Sequence, residues 1–86
     1  MEETFMTYEQ FHRTLKEQKI KHHDMVRVMM IKSNGGTGYI DGIINLKVNP
    51  SELCISYDHY NTGKIDTDFV WGIKFDRIQS IELLKN

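Results

Sequence analysis

After residue 24 the apolar side chains come in short runs separated by turn residues, and this spacing constrains the fold more than any other feature. Residues 53–57 alternate between apolar and polar positions, as in a strand with one face in a core. A later run alternates in the same way and places Phe69, Trp71, Ile73 and Phe75 on one face. The pattern predicts five short strands, at residues 25–32, 39–46, 53–57, 68–75 and 80–84.

A helix is predicted ahead of the strands, over about residues 8–19. Thr7 is a good N-cap, because its hydroxyl can accept a hydrogen bond from a free backbone N–H. Gln10 stands three positions later and completes a Thr-x-x-Gln capping box. Met6 and Phe11 occupy the two positions of a hydrophobic staple. These local signals agree with one another and indicate a single amphipathic helix.

Two of the predicted strands carry a glycine near the middle, Gly42 and Gly72, where a sheet can bend. A flat meander of five strands would leave both of its edges exposed, and curling into a small barrel removes much of that exposure. We therefore expect one mainly β domain over residues 1–86. It has an N-terminal α-helix at 7–20 and a five-stranded antiparallel SH3-like or Sm-like barrel at 25–84. The alternative is an open antiparallel sheet packed on the helix.

Composition excludes several classes of protein. Eleven Lys and Arg residues stand against twelve Asp and Glu, which gives a net charge of −1. This balance excludes a strongly basic protein that coats nucleic acid, and equally an acidic DNA mimic. The single cysteine, Cys54, cannot form an internal disulfide, and this favours a reducing, cytoplasmic location. No apolar run approaches the 18 residues of a membrane-spanning helix, so we expect no membrane partner.

No residue pattern points to catalysis, a metal or a cofactor. The histidines lack the spacing of a zinc site, because His22 and His23 are adjacent and no cysteine pair accompanies them. The sequence Gly35-Gly36-Thr37-Gly38 leads into a strand, so it predicts a hairpin turn rather than a phosphate-binding loop. Cys54 has no Cys-His motif around it. We expect a non-enzymatic protein without a cofactor or a metal.

Two loops and one strand face are the predicted protein-binding surface. The turn at 33–38 and the loop at 57–66 are connections of the kind that carry binding residues. In the first strand, Met25 and Met29 lie on the face opposite the valines, which leaves apolar groups for a second buried surface. This favours a protein partner or a homo-oligomer. The candidate partner-binding residues are Asn34, Gly35, Gly36, Tyr39, Tyr60 and Asn61.

Nucleic-acid binding by an Sm-like or SH3-like barrel is the alternative function. A basic stretch runs through the end of the predicted helix, and Glu17 and Asp24 dilute it. Cations near a helix C-terminus also interact favourably with the helix dipole, without any ligand. A nucleic-acid surface combines such cations with aromatic side chains, and Tyr39 is available for this. The candidate contacts are Arg13, Lys16, Lys19, Lys21, Arg27 and Lys32.

Four segments carry a resemblance to a known family. They are Val26-Arg27-Val28-Met29-Met30, Gly38-Tyr39-Ile40-Asp41-Gly42-Ile43-Ile44, Leu53-Cys54-Ile55 and Ile73-Lys74-Phe75-Asp76-Arg77-Ile78-Gln79-Ser80-Ile81. From about Lys21 to Leu83 the chain resembles the YolD-like family of bacteria and their phages. The resemblance implies a non-enzymatic accessory protein of the DNA-damage response, since genes of that family often neighbour translesion DNA polymerases. It also implies an origin in a phage or another mobile element. We therefore expect a small binding module that acts through protein–protein contact.

Overall fold

The computed structural model of the chain describes residues 6–32, 34–58 and 60–85. The prediction of one helix followed by five antiparallel strands is confirmed. The fourth strand is shorter than predicted, and residues 68–70 do not belong to it. In chain order the elements are α1 (Tyr8–Glu17), β1 (Met25–Ile31), β2 (Thr37–Asn45), β3 (Glu52–Tyr57), β4 (Trp71–Lys74), a 3₁₀ turn (Phe75–Arg77) and β5 (Ile78–Lys85).

The five strands form one sheet in the order β4-β3-β2-β1-β5, and every pair of neighbours is antiparallel. The two edge strands, β4 and β5, are joined by only three residues, Phe75–Arg77. Such a link spans at most roughly 14 Å from the last residue of β4 to the first residue of β5, so the sheet must curl strongly.

The predicted closed barrel is wrong, and the predicted alternative, an open sheet packed on the helix, describes the structure. Among the described residues no ladder joins β4 to β5. The physical reason is the length of β4. It has only four residues, and all four pair with β3 before the chain turns toward the opposite edge. Its other edge therefore offers few main-chain groups to β5, which pairs with β1 instead.

The start of the helix follows the sequence prediction. The backbone N–H of Gln10 donates to the Thr7 hydroxyl at 3.1 Å, and the backbone N–H of Thr7 donates to Gln10 Oε1 at 2.9 Å. Both bonds of the capping box are therefore present. Phe11 and Leu15 are buried on one side of the helix, and Met6 packs against the same core.

One face of the sheet, here called the inner face, carries the core. The strand registers place Val28 opposite Ile40 on one side and Ile81 on the other, and they place Ile44 opposite Ile55. Side chains of such cross-strand pairs share a face. The opposite face is called the outer face. The buried core consists of Phe11, Leu15, Ile20, Val26, Val28, Ile44, Leu53, Ile55, Ile73, Ile78 and Ile81.

Gly42 lets β2 and β3 approach each other closely. It is buried, and it lies between Val26 of β1 and Tyr57 of β3. A Cβ atom at this position would overlap the carbonyl oxygen of Ser56 and lie 2.9 Å from Cγ1 of Ile55. A side chain here would force the two strands apart, which accounts for the mid-strand glycine.

Candidate functional site

A groove of about 270 Å³ opens on the part of the inner face that the helix does not line. Its walls are apolar or aromatic, and the only charged side chain among them is that of Arg77. The groove, here called the inner groove, combines residues of β1, β2, β3, β4 and the 3₁₀ turn. The lining residues are Met30, Ile40, Tyr57, Trp71, Gly72, Ile73 and Arg77.

The strand registers bring the two aromatic walls of the inner groove together. Trp71 lies opposite Ile55, two residues before Tyr57 on β3, so both rings project from the inner face. Their centroids are 6.0 Å apart, with the ring planes inclined at 53°. Trp71 is 49% exposed, although it stands on the face that carries the core. Half-exposed aromatic rings of this kind are enriched at protein interfaces.

A second depression, of about 390 Å³, shares Tyr57 with the inner groove. We call it the loop depression, because the chain between β3 and β4 forms it. Asp58 shapes this loop: its carboxylate accepts the backbone N–H of Thr62 at 2.9 Å and of Gly63 at 2.7 Å. The bond from Thr62, supported by the one from Gly63, lowers the pKa of Asp58 below its usual value. Its lining residues are Tyr57, Asp58, Tyr60, Thr62, Lys64, Ile65 and Asp66.

The structure separates the predicted partner-binding residues into two groups. Tyr60, which is 73% exposed, lines the loop depression, and Asn61 stands beside it in the left-handed region with φ 56°. Asn34, Gly35 and Gly36 form the hairpin tip, as predicted. Gly35 has φ 87°, and the Asn34 side chain accepts the backbone N–H of Gly36 at 2.8 Å. These tip residues do not line the inner groove.

Two further predicted positions, Ser33 in the turn and His59 in the loop, lie outside the described residues.

Tyr39, the sixth predicted partner-binding residue, lies on the outer face with a different set of contacts. The guanidinium carbon of Arg27 stands 4.5 Å from the centre of the Tyr39 ring. Arg27 also donates two hydrogen bonds to Asp41, at 2.7 and 2.9 Å. These bonds lower the pKa of Asp41 and raise that of Arg27. Met25 and Met29 lie on the same face and are partly buried, as the alternation predicts.

Four of the six predicted nucleic-acid contacts line one depression of about 780 Å³ beside the end of the helix. We call it the basic depression; its cations are Arg13, Lys16, Lys19 and Lys21. The structure does not bring Arg27 or Lys32 to it. Arg27 is instead held by Asp41 on the outer face, and Lys32 begins the hairpin turn, where its N–H donates to the Gly36 carbonyl at 2.7 Å.

The inner groove was not predicted, because the alternation placed Phe69 and Trp71 on one face of the fourth strand without indicating how much of that face is covered. Trp71 does lie on the inner face, but it is half exposed, and Phe69 is 50% exposed outside β4. The length of the helix could have indicated that part of the inner face is left uncovered. Ten residues of helix are about 15 Å long, which is short for covering the inner face of five strands.

The described residues contain no group of three or more His, Cys, Asp and Glu side chains that could hold a metal ion. Cys54 is buried, and burial raises the pKa of its thiol, which disfavours the reactive thiolate form. The rings of His22 and His23 stack at 3.8 Å, and Nδ1 of His22 accepts the backbone N–H of Leu46 at 3.0 Å. In the described part of the chain, no helix has the length and apolar character needed to cross a membrane.

Comparisons of the chain with protein-family models, curated proteins and solved structures found no match.

Proposed function

We propose that the protein is a small non-enzymatic binding module that acts through protein–protein contact, with the inner groove as its contact surface. The observation that carries the proposal is the half-exposed ring of Trp71, set 6.0 Å from Tyr57 between apolar walls and beside Arg77. Tryptophan, tyrosine and arginine are the residue types that contribute most binding energy at protein interfaces. All three types meet in this groove.

The finer fold class that we propose is an SH3-like or Sm-like domain. The strong curl of the sheet, the return of β5 beside β1 and the helix ahead of the strands support it. The resemblance to the YolD-like family supports a cytoplasmic accessory role in the DNA-damage response or in a phage or other mobile element. Under that proposal the partner is a protein of the same process.

The test uses the only tryptophan of the chain, which is Trp71. Twelve-residue random peptides are selected against the protein by display, and the selected peptides are titrated while the emission of Trp71 is recorded. We expect saturable binding with a blue-shifted emission maximum, because a bound peptide removes water from the ring. In Trp71→Ala, followed by the anisotropy of a labelled peptide, affinity should fall by roughly thirtyfold or more, as for an interface hot spot.

The matched control is Tyr39→Ala, which removes an exposed aromatic ring from the outer face and should leave affinity unchanged. Equal binding to wild type and Trp71→Ala would reject the inner groove as the contact surface. Failure to select any saturable peptide would reject the proposed function.

Nucleic-acid binding is the second candidate function, and the basic depression favours it. Four cations surround one surface depression, and His12 also lines it. The exposed ring of Tyr8 is tilted against the His12 ring, with the two ring centres 4.4 Å apart. Single-stranded nucleic acids bind where cations contact the backbone and aromatic rings contact the bases. This arrangement therefore suits a short single strand.

A labelled twelve-nucleotide single strand, as DNA and as RNA, tests the second candidate at two salt concentrations. Binding should weaken with salt, with a logarithmic slope of about −0.7 per neutralised phosphate. The double variant Lys16→Gln, Lys19→Gln should reduce both affinity and slope. The control pair Lys32→Gln, Lys85→Gln removes the same charge outside the basic depression. Absence of salt-dependent binding, or equal loss in both double variants, would reject this function.

A further inference from the structure

The direction of the hydrogen bonds determines which main-chain groups of β4 point away from the sheet. On β2, the N–H of Ile44 donates to the Asp24 carbonyl at 3.0 Å, and the Ile44 carbonyl accepts the N–H of His23 at 2.8 Å. Both groups of Ile44 therefore point toward the β1 side. In an antiparallel sheet this direction alternates from residue to residue. The same alternation can be followed across the β2–β3 and β3–β4 registers. It shows that the main-chain N–H and C=O groups of Gly72 and Lys74 point outward, that is, away from β3 and toward the free edge of the sheet.

The opposite edge gives an independent check of this alternation. When the alternation is followed across the β1–β2 and β1–β5 registers, the main-chain groups of Ile81 and Leu83 point away from β1, at the outer edge of β5. Those are the two residues whose main chain bonds to the side chain of Gln18, outside the sheet. The alternation therefore holds on both sides of β2.

The outward groups of β4 have no such cover. Over the described ranges 6–32, 34–58 and 60–85, the outward N–H groups of Gly72 and Lys74 and the outward carbonyl of Gly72 have no hydrogen-bond partner. The carbonyl of Lys74 differs, because Lys74 is the N-cap of the 3₁₀ turn and its carbonyl accepts the first bond of that turn. Both residues are exposed, and on the outer face the carboxylate of Glu52 lies against Gly72. An uncovered edge of this kind is a template for one more strand.

The same strand forms one wall of the inner groove. Trp71 and Ile73 alternate with the two outward residues and line the groove. A strand added beside β4 would therefore place every second side chain over the groove, next to these walls. Its remaining side chains would lie on the outer face, beside the side chain of Lys74.

On the groove side of β4 the charges favour a segment that carries a carboxylate, whereas on the outer face Glu52 already stands opposite Lys74. Arg77 lines the groove, and its guanidinium makes one long hydrogen bond, 3.5 Å, to the carbonyl of Ile31. The acids nearest in register and in sequence, Glu52 and Asp76, do not line the groove. A guanidinium in this setting can pair with a carboxylate through two parallel N–H groups.

We propose that β4 binds an extended segment of the partner protein as a sixth strand, with apolar side chains of the segment in the inner groove and an acidic side chain on the same face at Arg77. The inference rests on the proposed function, since edge and groove would hold the same partner. The main-chain bonds supply affinity for any extended segment, and the groove and Arg77 select its sequence.

A second copy of this chain fits the same edge less well. Pairing two β4 strands about a twofold axis would place Trp71 and Ile73 of the second copy on the groove side and would offer no carboxylate to Arg77. The edge therefore matches a segment that carries a carboxylate better than it matches itself.

The test compares two substitutions of Lys74. The φ angle of Lys74 is −66°, the value that a proline ring imposes. Its N–H points away from β3, toward the free edge of the sheet. Lys74→Pro therefore removes one edge donor without breaking the ladder to β3. Lys74→Ala is the matched control, because it removes the same charge and retains the N–H.

The probe is a labelled, end-blocked nine-residue peptide that alternates threonine and valine, with glutamate at one valine position so that it lies on the groove side, and a second peptide has lysine in place of that glutamate. We expect the acidic peptide to bind the wild type and the basic one not to bind. Lys74→Pro should weaken binding of the acidic peptide by a further roughly three- to tenfold relative to Lys74→Ala. Arg77→Gln should also weaken it.

Amide exchange of the unsubstituted protein provides a measurement that does not depend on the folding of a variant. Bound acidic peptide should slow exchange of the amide hydrogens of Gly72 and Lys74; unchanged exchange at both would overturn the inference.

The outcomes distinguish this inference from the proposed function. Equal affinity of Lys74→Pro and Lys74→Ala, together with loss of binding in Trp71→Ala, overturns the added strand and leaves the groove as the contact surface. Unchanged binding in Trp71→Ala overturns both. If the free wild-type protein sediments as a dimer and Lys74→Pro as a monomer, the edge is occupied by a second copy, and the proposed partner segment is wrong.

Discussion

The two edges of the sheet end differently, and the difference separates the side of the molecule that the helix covers from the side that we propose binds a partner. At β5 the side-chain N–H of Gln18 donates to the Ile81 carbonyl, and its oxygen accepts the Leu83 N–H, both at 2.7 Å. The N–H of Met6 donates to the Ile78 carbonyl at 3.1 Å. Residues around the helix thus take the place of a neighbouring strand. At β4 no described residue does so.

The lengths of the two edges fit this division. β5 has eight residues and β4 has four. A long uncovered edge invites aggregation, whereas a very short one presents few main-chain groups to other chains. The protein covers the long edge with its own helix and leaves the short edge uncovered beside the inner groove. The inner face is divided in the same way, with Phe11 and Leu15 packed over one part and the groove open in the other.

The largest expected effect comes from removing the contact that holds the helix to the sheet. Phe11 is 3% exposed, and its ring lies 4.8 Å from that of Phe75 between centroids. Phe11→Ala should lower the free energy of unfolding by roughly 3–5 kcal/mol, measured by urea denaturation. The control is Tyr8→Ala, on the same helix, where the ring is half exposed and a loss of about 1 kcal/mol or less is expected. Equal losses would mean that the helix does not anchor the covered side.

A smaller effect is expected from Gln18→Ala, which uncovers the β5 edge. Loss of the two bonds to Ile81 and Leu83 should reduce the free energy of unfolding by about 1–3 kcal/mol. The uncovered edge should also make the protein associate with rising concentration in sedimentation velocity. Glu17→Ala is the control, because Glu17 is an exposed neighbour on the helix. A monomeric Gln18→Ala variant as stable as Glu17→Ala would remove the distinction between the two edges.

The parts of the fold that depend on local sequence could be predicted. The capping box of Thr7 and Gln10 spans four residues. The pleat of a single strand places Leu53, Ile55 and Tyr57 on the core face as predicted, although the residues between them are buried as well. Hairpin geometry is local as well, since Gly35 supplies the positive φ that the turn needs. These features were predicted because each follows from residues that are neighbours in the chain.

The parts that depend on distant residues could not be predicted. Gln18 lies 63 positions from Ile81, so no local pattern marks it as a cover for β5. The inner groove exists because the helix covers only part of a face that five separate strands assemble, which left Trp71 half exposed rather than buried. Among the predicted binding residues, Tyr60 lies in the depression next to the groove, and the hairpin tip lies outside the groove.

The smallest expected effect is a response to acid that distinguishes the groove side of the molecule from the side that the helix covers. An amide, which does not titrate, covers the β5 edge, whereas the carboxylate of Asp58 holds the loop beside the groove. The N–H of Thr62, with that of Gly63, lowers the folded-state pKa of Asp58 below the unfolded value of about 3.9. Asp58 therefore stabilises the fold above that value, and this contribution is lost as pH falls through the folded-state pKa.

As the pH falls below about 4 we therefore expect the emission of Trp71 to change, because Asp58 adjoins Tyr57 and the Tyr57 ring lies close to that of Trp71. The far-ultraviolet signal of the helix should change less over the same range. Asp58→Asn should flatten the change in emission. Asp41→Asn is the control, because Arg27 lowers the pKa of Asp41 in the same direction, but on the outer face. It should alter the acid dependence of unfolding and leave the acid response of Trp71 in place. If both variants flatten that response equally, acid acts on the whole sheet, and the groove side is no more sensitive than the covered side.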